Sequence, residues 1–143
     1  MKRKLLYLTV FFSVLLSMSS CDLETSGNGK LDGFWHLERV DTLLTGGVCD
    51  MSELRVFWAF QHHLLELNGY VTCLCRFSHS DGSLVISSPY RYDREQGDEP
   101  LTDVELLLPY GINNLEERFT VERLSSSQLV LATDQLRLIF AKF

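Results

Sequence analysis

Apolar and polar residues alternate in short runs from residue 31 onward, and turn-forming residues separate these runs. Alternation with a period of two predicts half-buried strands, and few stretches are long or periodic enough for a helix. The region from Pro89 to Leu115 holds all three prolines of the chain and predicts a long loop with a helical turn. The pattern predicts eight strands, at residues 33–41, 53–61, 63–67, 70–79, 83–87, 118–124, 128–132 and 135–143.

The turns between the early strands carry a local signal of their own. Asn68-Gly69 favours a two-residue type I′ turn, because both residues tolerate positive φ, and Asp81-Gly82 marks the next turn. A two-residue turn at Asn68-Gly69 places His62 opposite Cys75, with Cys73 on the same face of the sheet.

Eight sequential strands need a way to protect their edges. Closure into an up-and-down barrel removes the edges altogether, so we expect an all-β, eight-stranded antiparallel barrel, with a β-sandwich as the alternative. The alternation predicts these inward-facing residues: Trp35, Leu37, Val56, Trp58, Phe60, Phe77, Phe119, Val121, Leu129, Leu131, Leu138 and Phe140.

The first twenty residues differ from the rest of the chain. Lys2-Arg3-Lys4 precedes an apolar run too short to span a bilayer comfortably and then Ser17-Met18-Ser19-Ser20, which together predict a signal peptide helix. Cys21 follows directly and resembles the acylated cysteine of a bacterial lipobox; an ordinary signal peptide with an incidental cysteine is the alternative. The sequence thus divides into a signal peptide (1–20), a polar tether (21–30) and a barrel domain (31–143).

Net charge bears on binding to nucleic acid, and cysteine content bears on disulfide formation. Without its three signal-peptide basic residues the chain keeps 10 basic and 19 acidic residues, a formal net charge of −9, which argues against binding to nucleic acid. Beyond Cys21 the thiols are Cys49, Cys73 and Cys75. Either Cys49 pairs with one of the other two in an oxidising compartment, or all three stay reduced, with buried ones acting as small apolar residues.

No pattern in the chain predicts catalysis. His62, Cys73 and Cys75 would suit zinc in the predicted register, but a fourth ligand is missing, so we predict no metal site. The acidic residues between Asp93 and Glu105 lack the spacing of a calcium loop, and Gly-x-Ser-x-Gly is absent. We therefore expect no enzymatic activity and no cofactor.

Several short motifs carry a family resemblance. Gly33-Phe34-Trp35 resembles the Gly-x-Trp first strand of lipocalin-like proteins, in which the tryptophan plugs the closed end of the barrel. With the lipobox, Gly111-Ile112 and the strand pair at 129–131 and 136–140, the chain resembles small lipocalin-like lipoproteins of anaerobic gut bacteria. The resemblance implies a calycin-type barrel in an envelope lipoprotein and no catalytic residue.

Two functions fit this picture. In the first, the barrel binds or carries a small apolar or amphipathic ligand, with Tyr90 or Tyr110 near the rim. In the second, a filled barrel acts as a protein-interaction module, either an inhibitor or an accessory subunit of an envelope complex. Both place the protein in the bacterial cell envelope at the outer membrane, anchored by palmitate or related acyl chains on Cys21. The candidate ligand-binding residues are Trp35, Trp58, Phe60, Phe77, Phe119, Leu138 and Phe140.

Overall fold

The computed structural model describes residues 1–4 and 26–143. Cys21 and most of the predicted signal peptide fall in residues 5–25, outside the described part of the chain. Within the described part, no helix is long and apolar enough to cross a membrane.

Strands dominate the described residues, as the alternating pattern predicts. Short 3-10 helices lie at Gly29–Leu31 and Leu108–Tyr110. The strands are β1 (Gly33–Thr42), β2 (Gly47–Asp50), β3 (Phe57–Gln61), β4 (Leu64–Asn68), β5 (Cys73–Ser80), β6 (Ser83–Arg91), β7 (Glu99–Pro100), β8 (Glu117–Leu124), β9 (Gln128–Ala132) and β10 (Leu136–Lys142).

Eight of these strands close into an antiparallel barrel, in the order β1, β3, β4, β5, β6, β8, β9, β10. The last strand pairs with the first, from Trp35 opposite Lys142 to Thr42 opposite Leu136. The other two strands extend this ring: β2 folds back on the second half of β1, and β7 pairs two residues with β6. The predicted all-β, eight-stranded barrel is confirmed.

Two strand boundaries differ from the alternation pattern for local reasons. Strand β3 begins at Phe57, because the amide of Leu54 bonds to the carbonyl of Met51 in a turn. Strand β6 continues past Ser87 to Arg91 through a bulge, where Ser88 takes a φ of 49°. A bulge tolerates the proline that follows it, so Pro89 did not end the strand.

The predicted two-residue turn at Asn68-Gly69 is wrong. Leu67 pairs with Cys73, so residues 69–72 connect β4 to β5. Gly69 lies so close to the preceding segment that a Cβ there would sit 2.3 Å from the carbonyl oxygen of Arg55. The type I′ geometry occurs instead at Asp81-Gly82, whose φ values are 52° and 72°.

One end of the barrel, which we call the closed end, is sealed by residues next to β1. Trp35 is fully buried, and its indole N–H donates to the carbonyl of Leu31 at 2.7 Å. The ammonium group of Lys142 lies over the Trp35 ring, 4.4 Å from its centroid. The tryptophan of the Gly-x-Trp motif thus packs beneath the N-terminal 3-10 helix.

The opposite end, which we call the mouth, is covered by residues 101–116, the mouth plug. Leu107, Tyr110 and Ile112 of this segment are fully buried and belong to the core. The plug enters the barrel so closely that a Cβ on Gly111 would lie 2.6 Å from the Leu138 side chain. The predicted loop with a helical turn is therefore present, and it packs into the barrel.

Candidate functional site

The interior of the barrel is filled by aromatic and aliphatic side chains. Ring centroids of Trp58 lie 5.0 Å from Phe140 and 5.9 Å from Phe119, and those of Phe60 and Phe77 are 5.0 Å apart. An eight-stranded barrel is only just wide enough for such a core. All seven residues predicted to bind a ligand are buried here, as are the other predicted inward residues except Val121, which is partly buried.

All seven candidates belong to one buried core cluster, which also contains Leu107, Tyr110 and Ile112 of the mouth plug. The phenol oxygen of Tyr110 holds that plug in place. It accepts from the amide of Tyr70 and donates to the carbonyl of Val71, each at 3.0 Å. Burial raises the pKa of Tyr110 to about 12, although the hydrogen bond from the Tyr70 amide partly opposes this rise.

One polar atom in the core has no partner. The indole nitrogen of Trp58 is buried and makes no hydrogen bond among the described residues. Since a buried donor normally finds an acceptor, this N–H reports sensitively on any polar atom that enters the interior.

A roomy open space lies outside the barrel, beside β6. This β6 cleft has a volume of about 650 Å³, within the range of small-molecule sites. It sits beside the base of the mouth plug, since Leu101 and Leu115 near the two ends of the plug both line it. The lining residues are Arg76, Ser88, Pro89, Tyr90, Asp98, Pro100, Leu101, Leu115 and Glu116.

The bulge in β6 forms one wall of this cleft. Arg76 pairs with Ser87 and Leu74 with Tyr90, so β6 carries one extra residue between these pairs. The positive φ of Ser88 is a conformation that non-glycine residues rarely adopt, and such backbone is concentrated at functional sites. The sequence pattern gave no sign of the bulge.

Charged groups of both signs surround the apolar floor of the cleft. Arg76, Asp98 and Glu116 all line it, and none of them forms an ion pair within the described residues. Tyr90, Leu101 and Leu115 supply the apolar surface. The arrangement suits a ligand with an apolar body and a polar head.

A second exposed surface lies at the mouth. Tyr70, Val71, Tyr92 and Leu108, which we call the mouth patch, are large apolar side chains that remain exposed. They belong together, since Tyr70 packs against the Tyr110 ring at 5.8 Å and the Tyr92 amide bonds to the residue after Val71. Exposed apolar groups clustered in this way mark interaction surfaces.

The predicted register of the zinc candidates is wrong. Cys75 lies opposite Leu65, whereas His62 lies in the turn after β3. No group of three or more His, Cys, Asp or Glu side chains among residues 1–4 and 26–143 could hold a metal ion.

All three described cysteines are free thiols. Cys49 is exposed on β2, whereas Cys73 and Cys75 face the core. Burial, followed by the neighbouring Cys73, raises the pKa of Cys75 to about 12. The buried thiols therefore stay protonated and act as small apolar side chains.

The closed barrel and its tryptophan-sealed end define a calycin-like fold. The model of the lipocalin-like domain family matches residues 15–143, and the chain belongs to this family. Members of this family are in general binding proteins. No curated protein matches the chain.

Two solved structures share the fold. A lipocalin-like protein from Bacteroides uniformis ATCC 8492 is 23% identical, with a TM-score of 0.61 over 80% of this chain and 100% of that one. An uncharacterized protein from Bacteroides eggerthii DSM 20697 is 18% identical, with a TM-score of 0.55 over 78% of this chain and 98% of that one. At these identities the likeness concerns the fold alone.

Proposed function

We propose that this protein is a lipid-anchored component of the bacterial cell envelope, held at the outer membrane by acyl chains on Cys21. Its barrel binds a small amphipathic ligand, and the binding site is the β6 cleft. The protein is not an enzyme in this proposal, and it uses no cofactor.

The observation that supports this site is the contrast between a filled interior and a roomy cleft. The Trp58 side chain packs against rings on three sides, whereas the cleft offers about 650 Å³ between Tyr90, Leu101 and Leu115. The free charges of Arg76 and Glu116 at its edge can orient a polar head group.

Calorimetric titration of the purified protein with laurate, dodecyltrimethylammonium and cholate tests the cleft. We expect saturable binding that Leu101→Asp abolishes, because a carboxylate in the apolar floor opposes burial of the ligand. Leu44→Asp is the matched control, since Leu44 is an exposed leucine in the turn between β1 and β2. Binding that Leu101→Asp leaves unchanged would contradict the assignment.

The head group preference can be read from two charge variants. Arg76→Gln removes the positive charge of the cleft, and Glu116→Gln removes one negative charge. We expect Arg76→Gln to weaken the binding of laurate more than that of dodecyltrimethylammonium. We expect Glu116→Gln to weaken the binding of dodecyltrimethylammonium more. Equal effects on both amphiphiles would show that the charges do not contact the head group.

The anchor requires a separate test in cells. Cys21→Ala should abolish incorporation of labelled palmitate and move the protein from the membrane fraction to the soluble fraction, since several acyl chains are needed for firm anchoring. Cys49→Ala is the matched control, because Cys49 is an exposed free thiol outside the lipobox. Palmitate label that persists in Cys21→Ala would contradict the proposed anchor.

The filled core and the mouth patch favour a second function, a protein-interaction module. Tyr70, Val71 and Leu108 offer a partner an apolar surface that the fold itself does not cover. A photo-crosslinking residue at position 108 should then capture one envelope protein, and one at Leu44 should capture much less. Equal labelling at both positions would argue against a specific partner at the mouth.

A further inference from the structure

A second apolar surface lies outside the barrel, near its closed end. Phe34 on β1 is 53% exposed, and Phe143 at the C-terminus is 85% exposed. Phe57 packs edge-on against Phe143, with ring centroids 5.2 Å apart. We call Phe34, Phe57, Leu64 and Phe143 the closed-end face. Phe34 lines two open clefts: one of about 480 Å³, which Leu64 also lines, and one of about 450 Å³, which Phe57 and Phe143 also line.

The strand register extends this face across neighbouring strands. Phe34 pairs with Ala59 of β3, and Gln61 of the same strand pairs with Leu64 of β4. Side chains of directly opposed residues point to the same side of a sheet. The closed-end face is thus a continuous outward surface; it is separate from the mouth patch and meets the β6 cleft where Leu64 pairs with Arg76.

The closed-end face lies beside Ser26, which follows Cys21 by five positions in the sequence. The Asn28 side chain donates to the His62 carbonyl at 2.7 Å, and Ser26 lines the same cleft as Phe34 and Leu64. Four residues separate Ser26 from Cys21. Fully extended, those five peptide steps reach about 18 Å.

Basic side chains border the face in a chain that is acidic overall. Arg55 lines the cleft beside Phe57 and Phe143, and Lys142 contacts the backbone of Lys30. Two acids lie in the same region, and both already accept hydrogen bonds from side-chain amides: Asp32 from Asn28 and Glu66 from Asn68. Bonds from neutral amides leave both carboxylates charged, so this edge is close to neutral in a chain whose formal net charge is −6, and it repels anionic lipid head groups less than the chain as a whole.

We propose that the closed-end face rests on the lipid bilayer, with Phe34 and Phe143 entering the head group region. This inference rests on the proposed acylation of Cys21, which would hold the face within reach of the membrane. Stable attachment commonly combines acyl chains with a second contact of apolar or basic side chains.

Tryptophan quenching by brominated lipids tests the proposal on the full acylated protein. It is reconstituted in vesicles of phosphatidylethanolamine and phosphatidylglycerol with brominated acyl chains. Trp35 and Trp58 are fully buried and give a constant background. Phe34→Trp and Phe143→Trp place reporters on the face, and Leu44→Trp places a control reporter in the exposed turn between β1 and β2.

We expect the added emission of Phe34→Trp and Phe143→Trp to fall about twofold in brominated vesicles, as for side chains at the head group boundary. The emission of Leu44→Trp should not change. Protein that floats with the vesicles but shows no difference between the face and the control overturns the proposal, whether the face is free or covered by another protein. Protein that does not float and has an unmodified Cys21 by mass spectrometry overturns the anchor and this proposal together.

Discussion

The closed end and the mouth of this barrel are both shut, but by different parts of the chain. At the closed end Trp35 bonds to Leu31, four residues earlier, and packs under Lys142. At the mouth Tyr110 bonds to Tyr70 and Val71, 40 and 39 positions earlier in the chain. One seal is built from the first and last barrel strands and the short helix before them, and the other depends on a long loop that folds back.

Because of this difference, the two ends of the barrel should differ in how easily they open. The closed end is built from side chains that also belong to the first and last strands, so it opens only if the barrel opens. The mouth plug is a connecting segment between β6 and β8, and such segments open at lower free energy than core strands. The candidate ligand cleft and the mouth patch both adjoin the plug.

Replacing Trp35 by alanine should give the largest effect at the closed end. The substitution removes a fully buried indole and its bond to Leu31, so we expect a loss of about 3–5 kcal/mol in the free energy of unfolding. Denaturant unfolding measures it. Phe34→Ala, one residue away and half exposed, should cost less than about 1 kcal/mol, and equal losses would contradict the assigned roles.

A smaller loss of stability is expected from Gly69→Ala, in the connection between β4 and β5. The new Cβ would meet the Arg55 carbonyl at 2.3 Å, and backbone must move to admit it, so we expect a loss of about 2–3 kcal/mol. Gly46→Ala is the matched control: Gly46 also has a positive φ, but nothing lies within 4 Å of its Cβ position. It should lose only about 1–2 kcal/mol in the same unfolding assay.

Removal of the Tyr110 hydroxyl should lower the free energy of unfolding by about 1 kcal/mol. Tyr110→Phe keeps the ring but leaves the Tyr70 amide and the Val71 carbonyl without that partner. Chemical unfolding of the variant measures the change. An unchanged stability would show that water replaces the hydroxyl at no cost.

The same residue predicts a pH dependence with a definite sign. The pKa of Tyr110 is raised from 10.0 to about 12, so folding favours the protonated phenol. Its contribution to stability is complete below about pH 10 and is lost as the pH rises through about 12. Tyrosinate absorbance should show one late-titrating group that Tyr110→Phe removes, and the same late phase in the variant would contradict the assignment.

The sequence pattern predicts the barrel well because alternation is a local signal. Most barrel strands carry alternating apolar residues, such as Trp58 and Phe60 in β3 and Leu65 and Leu67 in β4, and the Gly-x-Trp motif resembles that of a known barrel end. Asn68-Gly69 failed as a turn because a distant residue, Tyr110, bonds to the connection that follows it. Local turn preference gives way to such tertiary contacts.

The candidate sites were harder to predict for the same reason. The seven ligand candidates were chosen as inward aromatic and apolar residues, and inward residues in a small barrel form the core. The β6 cleft depends on a bulge at Ser88 and on the return of Leu101 and Leu115 to the barrel wall. Neither feature has a periodic signature in the sequence.

The central claim is that ligands bind outside a filled barrel, and NMR titration of the protein with laurate tests it most directly. The chain has two tryptophans, so its indole N–H signals report on the core from Trp35 and Trp58. We predict saturable shifts for Tyr90, Leu101 and Leu115, with both indole signals unchanged. A shift of the unpartnered Trp58 N–H together with Tyr110 would contradict the account, because it would place the ligand inside the barrel.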